Sequence, residues 1–316
     1  MKNVSFIIPS YNTDQTIGKT IKSILNQNYK GKIEIIVIDD YSKDNSINII
    51  KKFKKVKLIQ NKKNLGLAKT LNKGIKNSKY KLISIIWGDC VIRTNNWLNH
   101  LLNIINKSKD TGVVTSKLVI PAELWNKYGF WDRLTLLKDM KNSMDKKSRD
   151  GRFALFKKEV FNKVGLYDYK TFRIAGEDTD LKWRIIKKGY KIKDSNEDLL
   201  HLHGMHKFSM KYQLFKKALP LGEAIGVNFR KHRLKSLGNK YWNPISSTIL
   251  YGSLLIPKTR ILGTIGIITL LTIYMLNALK YEKDIRIIFL PFFKIAKDLT
   301  TIFGFWKGYI TKKQSF

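Results

Sequence analysis

Three acidic residues lie close together in a chain that is otherwise strongly basic. Glu177, Asp178 and Asp180 fall within four positions, and the apolar residues Leu181 and Ile185 follow at helical spacing. This spacing predicts a helix that carries the acids in its first turn. Carboxylates are common there for structural reasons, because they offset the unpaired N–H groups and the partial positive charge of a helix N-terminus. An ordinary helix start and a functional cluster of carboxylates are therefore both open on these residues alone.

Polar groups also follow three predicted strands early in the chain. Apolar runs predict strands over residues 4–9, 33–38, 56–59 and 82–87, and segments with helical periodicity lie between them. This alternation predicts an α/β fold with a mostly parallel central sheet flanked by helices. Ligands bind such sheets beyond the carboxyl ends of the strands. Polar groups stand at three of those ends, in residues 9–12, at Asp39 with Asp40, and at Asp89.

The amino-acid composition limits the kinds of partner that the chain is expected to bind. The 316 residues include 60 Lys and Arg against 24 Asp and Glu, which gives a net charge of +36. The lysines are spread along the whole chain, so they predict a general attraction for anions such as phosphate-bearing substrates and membrane headgroups. No zinc-finger spacing, aromatic RNA-binding motif or basic heptad helix is present in the sequence, so no nucleic-acid partner is expected. The single cysteine, Cys90, excludes an internal disulfide and is typical of a reducing compartment.

The pattern of elements predicts two regions, an α/β domain over residues 1–235 and a helical region over residues 236–316. The α/β domain divides into halves at residues 1–110 and 111–235. Residues 121–149 interrupt the second half, as a substrate-facing excursion or a variable surface insertion. Short strands are expected over residues 190–192 and 199–202.

The last third of the chain predicts membrane association. Residues 261–279 carry no charge and are about long enough to cross a bilayer, at the low end of the ~17–25 residues required. Residues 285–309 mix aromatic and aliphatic side chains with lysines, which predicts an interfacial amphipathic helix broken by Pro291. A soluble helical subdomain packed on the α/β domain is the alternative interpretation.

Several motifs, taken together and in this order, resemble the family 2 inverting glycosyltransferases, whose catalytic domain has the GT-A fold. The resemblance spans roughly residues 3–205, and each motif is weak by itself. The matching segments are Ile7-Ile8-Pro9-Ser10-Tyr11-Asn12, Val37-Ile38-Asp39-Asp40-Tyr41-Ser42, Asn64-Leu65-Gly66-Leu67-Ala68, Val164-Gly165-Leu166-Tyr167-Asp168 and Gly176-Glu177-Asp178-Thr179-Asp180-Leu181.

The resemblance implies an enzyme that moves a sugar from a nucleotide-sugar donor to an acceptor with inversion, with Asp178 as the general base and Glu177 beside it. It implies acceptor-side roles for Asp180, Trp183 and Arg184. It also implies a nucleotide-sugar site made of Pro9, Tyr11, Asn12, Asp39, Asp40, Asn64, Gly66, Asn72, Gly88 and Asp89. A divalent cation, Mg²⁺ or Mn²⁺, would be held by Asp89 with His201 or His203.

One departure from the family pattern concerns the metal. The family usually has Asp-x-Asp at the end of the fourth strand, whereas this chain has Trp87-Gly88-Asp89, with one acid at the second position. A non-catalytic module that binds a nucleotide sugar or a glycan on the same fold is therefore the alternative function. The expected acceptor is a polyprenyl- or dolichyl-type lipid-linked glycan or a surface glycan, and the expected location is the cell membrane with the catalytic domain on the cytoplasmic side.

Overall fold

A computed structural model of the chain describes residues 2–144, 151–202, 209–237 and 243–315. The strands in these residues are β1 Val4–Ser10, β2 Ile33–Asp39, β3 Val56–Gln60, β4 Leu82–Ile85, β5 Cys90–Ile92, β6 Thr111–Val119, β7 Gly151–Lys157 and β8 Lys191–His201. The first helices are α1 Ile17–Leu25, α2 Ser46–Lys51, α3 Leu67–Asn77, α4 Trp97–Asn106, α5 Ala122–Trp125, α6 Phe130–Met144, α7 Lys158–Val164 and α8 Glu177–Lys187.

The remaining helices follow β8 without a further described strand. A π-helical segment, Tyr212–Ala218, runs directly into α9. Short 3₁₀ turns cover Arg233–Leu237, Ser253–Leu255, Pro257–Thr259 and Ile285–Phe289. The helices between and around these turns are α9 Leu219–His232, α10 Pro244–Gly252, α11 Arg260–Leu279 and α12 Leu290–Thr311.

The eight described strands form one sheet in the order β3-β2-β1-β4-β7-β6-β8-β5. Strands β1 to β4 pair in parallel, as their alternation with helices predicts. The sheet is mixed beyond β4, because β7 enters antiparallel between β4 and β6. Strand β8 is a single strand where the sequence predicts two short ones. Its polar middle is accommodated by a register shift and by Asn196, whose φ is +56°.

The described chain forms two compact units. The first contains the sheet and comprises Met1–Lys127, Lys138–Tyr169 and Leu181–Met205. Apolar side chains cover both faces of this sheet, since the cores around Phe6 and Trp97 and around Phe156 and Leu181 are fully buried. A sheet covered in this way explains why β1 and β2 are almost continuously apolar. The division predicted at residues 110 and 235 stays a prediction.

The second unit comprises Tyr128–Leu137, Lys170–Asp180 and His206–Phe316. Its prolines start helices. Asn243 caps the N-terminus of α10 just before Pro244, and Pro291 lies in the first turn of α12, where a missing N–H is tolerated. The sequence pattern predicts that Pro291 breaks a helix. This is wrong, because Pro291 lies in the first turn of α12. Among the described residues one helical stretch, Pro257–Leu279, is long and apolar enough to cross a membrane, by length and composition alone.

Helices α9 and α12 approach each other through glycines on both sides. A Cβ atom added to Gly222 or Gly226 would lie 2.3 Å from the backbone oxygen of Thr301 or 2.0 Å from that of Phe305. Added Cβ atoms at Gly304 and Gly308 would meet backbone oxygens of α9 at 2.4 and 2.2 Å. Each helix thus carries a Gly-x-x-x-Gly pair, which is the spacing that lets two helix backbones come into direct contact.

Gly226→Ala is expected to lower the thermal unfolding temperature of the full chain in detergent. The new Cβ would collide with backbone and not with a flexible side chain, and such overpacking costs roughly 1–3 kcal/mol. The matched control is Gly252→Ala in α10, where no atom lies within 4 Å of the added Cβ. Alanine is the better helix former, so this control is expected to leave the transition unchanged or to raise it slightly. Equal transitions for Gly226→Ala and the wild type would contradict the tight contact.

Candidate active site

A cleft of about 270 Å³ opens where β1, β2 and β4 end in the first unit. Three strand ends and the start of α3 contribute to it, as expected for a parallel sheet. The residues that line it are Pro9, Ser10, Tyr11, Thr13, Asp40, Asn64, Gly66, Leu67, Thr70, Trp87, Gly88 and Asp89. The structure therefore brings together seven of the ten positions predicted for the nucleotide-sugar site.

Asp40 orders the loop that forms one wall of this cleft. Its carboxylate accepts the side-chain N–H of Asn61 at 2.8 Å and the backbone N–H groups of Leu65 and Gly66 at 2.8 and 2.9 Å. Only 4% of Asp40 is exposed, so these hydrogen bonds compensate the burial of its charge. Gly66, with φ of +80°, then turns the chain into α3. A carboxylate at this strand end is thus required by the loop as well as available to a ligand.

Asp39 and Asn12 do not line the cleft but shape the loops beside it. The Asp39 carboxylate accepts the N–H groups of Tyr41 and Ser42 at 3.1 and 3.0 Å, and Asn12 accepts the N–H of Lys43 at 2.9 Å. Tyr41 has a φ of +72° and Asn12 a φ of +52°, and a positive φ is strained for a bulky residue such as Tyr41. The strand-end loops are therefore locked in conformations that cost free energy, as is common around binding sites.

Asp44 ties the same loops together. It accepts the backbone N–H groups of Asp14 and Ser46, both at 3.0 Å. Burial raises the pKa of Asp44, but its hydrogen bonds from Ser46 and Asp14 outweigh that effect and lower the pKa below its usual value. The carboxylate is consequently ionised at neutral pH, in the form that accepts these hydrogen bonds.

Among the described residues, Asp89, Cys90 and His201 form a group that could hold a metal ion. The Asp89 Oδ2 and His201 Nε2 atoms are 3.2 Å apart, both side chains are partly exposed, and the edge of the Trp87 ring faces the imidazole. A ligand atom of Cys90 lies within 4.8 Å of both, although that thiol belongs to the buried apolar core. One carboxylate oxygen and one imidazole nitrogen suit Mn²⁺, whereas Mg²⁺ prefers oxygen ligands throughout. His203 lies outside the described residues.

The acidic cluster starts helix α8, as predicted, and its members differ in environment. Glu177 is buried and Asp178 is partly exposed, with the backbone N–H of Thr179 donating to the Asp178 carboxylate at 2.7 Å. Asp180 has no exposed surface, and its Oδ1 atom lies 2.8 Å from the Lys231 ammonium and 3.0 Å from His232 Nε2. Asp180 is thus charge-compensated within the second unit, while Asp178 is partly exposed.

Two other predicted positions, Asn72 and Arg184, have structural contacts with backbone. The Asn72 amide pairs with the backbone of Tyr167 in both directions, at 2.8 and 3.0 Å. The Arg184 guanidinium donates to backbone oxygens of residues 164–166 and so fixes the turn after α7. Trp183 is partly exposed. Neither Asn72 nor Arg184 provides a group to the cleft described above.

Sequence reasoning also missed residues of the site. Among the other cleft-lining positions, Ser10, Thr13 and Trp87 lie at or next to strand ends, and Leu67 and Thr70 lie in the first turn of α3. Their closeness in sequence to the predicted site residues was the available signal. Lys231 and His232 gave no such signal, because they lie about fifty residues after Asp180 and resemble any other basic pair.

Comparison with known proteins adds three findings. The family model described as Glycosyl transferase family 2 matches residues 5–165. Poly-beta-1,6-N-acetyl-D-glucosamine synthases are 29% identical over 202 residues in Staphylococcus epidermidis, with 61% of this chain and 48% of the relative covered. The synthase from Staphylococcus aureus strain COL is 28% identical over the same length and coverage. The chain therefore spans about half the length of the curated relatives it matches.

A solved structure shares the architecture. It is described as mannosyltransferase PcManGT from Pyrobaculum calidifontis in complex with GDP-Man and Mn²⁺. The TM-score is 0.56 with 15% sequence identity, and the match covers 98% of this chain and 86% of the other. Identity this low shows the fold alone, and it confirms the predicted GT-A fold with its additional C-terminal helices.

Replacement of Asp89 or His201 by alanine is expected to weaken Mn²⁺ binding at least about tenfold, because each change removes one of few protein ligands. Electron paramagnetic resonance of free Mn²⁺ measures this directly, with UDP or GDP present to supply phosphate oxygens. Asp198→Ala is the matched control, since Asp198 lies on the same strand as His201 but forms a surface ion pair with Arg93. Unchanged Mn²⁺ affinity in both Asp89→Ala and His201→Ala would exclude this pair as the metal site.

Proposed function

Because the chain belongs to glycosyl transferase family 2, we propose that it transfers a sugar from a nucleotide-sugar donor to a hydroxyl group of a glycan acceptor. The observation that carries this proposal is the cleft at three strand ends, which combines an exposed aromatic ring, backbone groups and carboxylates in one place. Ligand sites of enzymes typically combine an apolar surface with a few convergent polar groups in this manner.

The donor's nucleotide is proposed to occupy the cleft. Tyr11 is 49% exposed and offers a face on which a base can stack, next to the backbone of Pro9. Asp40 accepts one hydrogen bond at Oδ2 and two at Oδ1, which leaves Oδ2 able to accept a further one from a ring N–H. Gly88 and Asp89 lie at the end where the diphosphate would be placed.

Asp89 and His201 would hold Mn²⁺ or Mg²⁺, which when bound neutralises the charge that develops on the departing nucleotide. The donor set described above favours Mn²⁺, and the solved structural neighbour is described as a complex with Mn²⁺. Oxygen atoms of the diphosphate and water would supply the other ligands, in keeping with two protein groups that are both partly exposed.

Asp178 is proposed as the general base of a single displacement. Its carboxylate removes the proton of the acceptor hydroxyl while that oxygen forms a bond to the anomeric carbon. The bond between the anomeric carbon and the phosphate oxygen breaks on the opposite side, so the nucleoside diphosphate leaves with the electron pair and the configuration inverts. Partial exposure of Asp178 supports this role, while Glu177 and Asp180 are buried beside it.

The acceptor is proposed to be a lipid-linked or surface glycan at the cytoplasmic face of the cell membrane. Large apolar side chains of α11 and α12 are more than half exposed, for example Ile261, Leu262, Phe292 and Phe303. A net charge of +36 favours anionic headgroups, such as those of the cytoplasmic leaflet. The names of the relatives describe synthesis of an N-acetylglucosamine polymer, which supports a glycan as acceptor.

Membranes that contain the protein are expected to incorporate label from one donor in a panel of radiolabelled nucleotide sugars with Mn²⁺, and the label is expected in organic-extractable lipid. Asp178→Asn should reduce this transfer by roughly 10²-fold or more, because an amide cannot take the hydroxyl proton. Asp110→Asn is the control, since Asp110 is an exposed acid whose ion-pair partner is Lys191.

Two results would contradict the proposal in different ways. Transfer that persists in Asp178→Asn would remove Asp178 from the role of base. Failure of the wild type to transfer any sugar, while it still binds a nucleotide sugar, would favour the non-catalytic binding module, to which the single acid of Trp87-Gly88-Asp89 also points.

A further inference from the structure

The loop that precedes the acidic cluster is held by one distant side chain. Residues 170–176 form no helix or strand, so their backbone N–H groups have no regular partners of the kind that secondary structure supplies. The N–H groups of Arg173 and Ile174 donate to the Oε1 atom of Gln314 at 2.7 and 3.0 Å, and that of Ala175 reaches the same oxygen at 3.5 Å. Three successive backbone donors therefore converge on one side-chain oxygen.

The other groups of Gln314 are also used. Its Nε2 atom donates to the backbone oxygen of Pro220 at 2.8 Å, and its backbone N–H donates to the oxygen of Thr171 at 3.0 Å. Only 2% of Gln314 is exposed. A side chain with an acceptor on one side and a donor on the other is required here, and an amide of this length satisfies both conditions. Because its acceptor oxygen and its donor nitrogen are both used, Gln314 is specifically suited to this position.

The segment that carries Gln314 is itself anchored to the helices of the second unit. The N–H of Ser315 donates to the Glu223 carboxylate at 2.9 Å, and the Lys307 ammonium lies 3.0 Å from the same carboxylate. Glu223 is 1% exposed and lies on α9, at the place where that helix meets Gly308 of α12. These contacts to Glu223 consequently hold the backbone next to Gln314 in place.

The far end of the loop is fixed as well. The Asn228 side chain donates to the backbone oxygen of Gly176 at 3.0 Å, and a Cβ atom at Gly176 would lie 2.7 Å from that of Ala224. Gly176 has a φ of +94°, which allows the chain to turn directly into α8. Between these two fixed points the loop has little freedom, and Asp178 follows two residues later.

We propose that Gln314 is a positioning residue for the reaction: it sets the conformation of loop 171–176 and, through that loop, the orientation of the Asp178 carboxylate. This inference rests on the proposed function, in which Asp178 is the base. Gln314 does not itself touch the reacting atoms. A small displacement of a catalytic group lowers the rate steeply, and a misplacement of about 1 Å can cost on the order of 10²-fold.

The test compares Gln314→Met with wild type in the full chain. Methionine keeps the length and volume but removes both hydrogen-bonding functions. The kcat for transfer is expected to fall roughly ten- to a hundredfold, while the donor KM and the number of donor sites per chain stay unchanged, because the residues that line the cleft belong to other segments. Gln314→Glu keeps the acceptor oxygen for the three N–H groups and is expected to recover part of kcat. Lys313→Ala, an exposed neighbour in the same segment, is the control without effect.

Hydrogen exchange separates this inference from the proposed function. Exchange at the amides of residues 173–175 is expected to accelerate in Gln314→Met and to stay at the wild-type rate in Asp178→Asn and Lys313→Ala. Unchanged exchange in Gln314→Met would overturn the contact, and accelerated exchange with unchanged kcat would overturn its role in positioning. Absence of transfer in the wild type would instead overturn the proposed function and, with it, this inference. A fall in donor sites that parallels the fall in kcat would show a general loss of folded protein and would also contradict the positioning role.

Discussion

The close contact between α9 and α12 is the constraint on which the second unit depends. Helix α9 carries Asn228, Lys231 and His232, which bind the residues around the acidic cluster. Helix α12 leads into the segment that brings Gln314 to the loop before it. Both sets of contacts require the two backbones to lie as close as the glycines permit. Packing far along the chain thereby places the groups that contact Asp180 and the loop before Asp178.

Charge compensation reinforces this packing. Burying a carboxylate such as Asp180 costs several kcal/mol unless cationic or hydrogen-bonding partners lie against it. Lys231 and His232 meet that requirement from the last turn of α9, and Glu223 is satisfied in the same way by Lys307. Helix α9 is therefore oriented by specific charges as well as by shape. Ion pairs of this kind define one arrangement of helices where apolar contacts alone would tolerate several.

The cleft and the acidic cluster differ in how far the sequence predicts them. The cleft follows from local patterns, because its walls are strand ends and the start of α3, which periodicity identifies, and Asp40, Asn64 and Asp89 all lie there. Residue type alone does not separate ligand-facing groups from loop-forming ones. Asp39 and Asn72 have the same chemistry as Asp40 and Asn64, yet neither of them lines the cleft. Gln314 could not be found from any window of sequence, since its partners lie about 140 positions away. The Gly-x-x-x-Gly spacing of α9 and of α12 is visible in the sequence, but only the structure shows that the two glycine pairs face each other.

The sequence separation between Gln314 and the loop also affects the order in which contacts form while the chain is synthesised. Arg173 leaves the ribosome 141 residues before Gln314 does, which at ~5–20 residues per second is a delay of roughly 7–28 s. During that interval β1 to β4 can pair with one another, while the acidic cluster lacks the side chain that holds the loop before it. Helices α9 and α12 emerge within the same interval, before the contact with Gln314 can form. The loop before the acidic cluster would then reach its final conformation only after both helices have been synthesised.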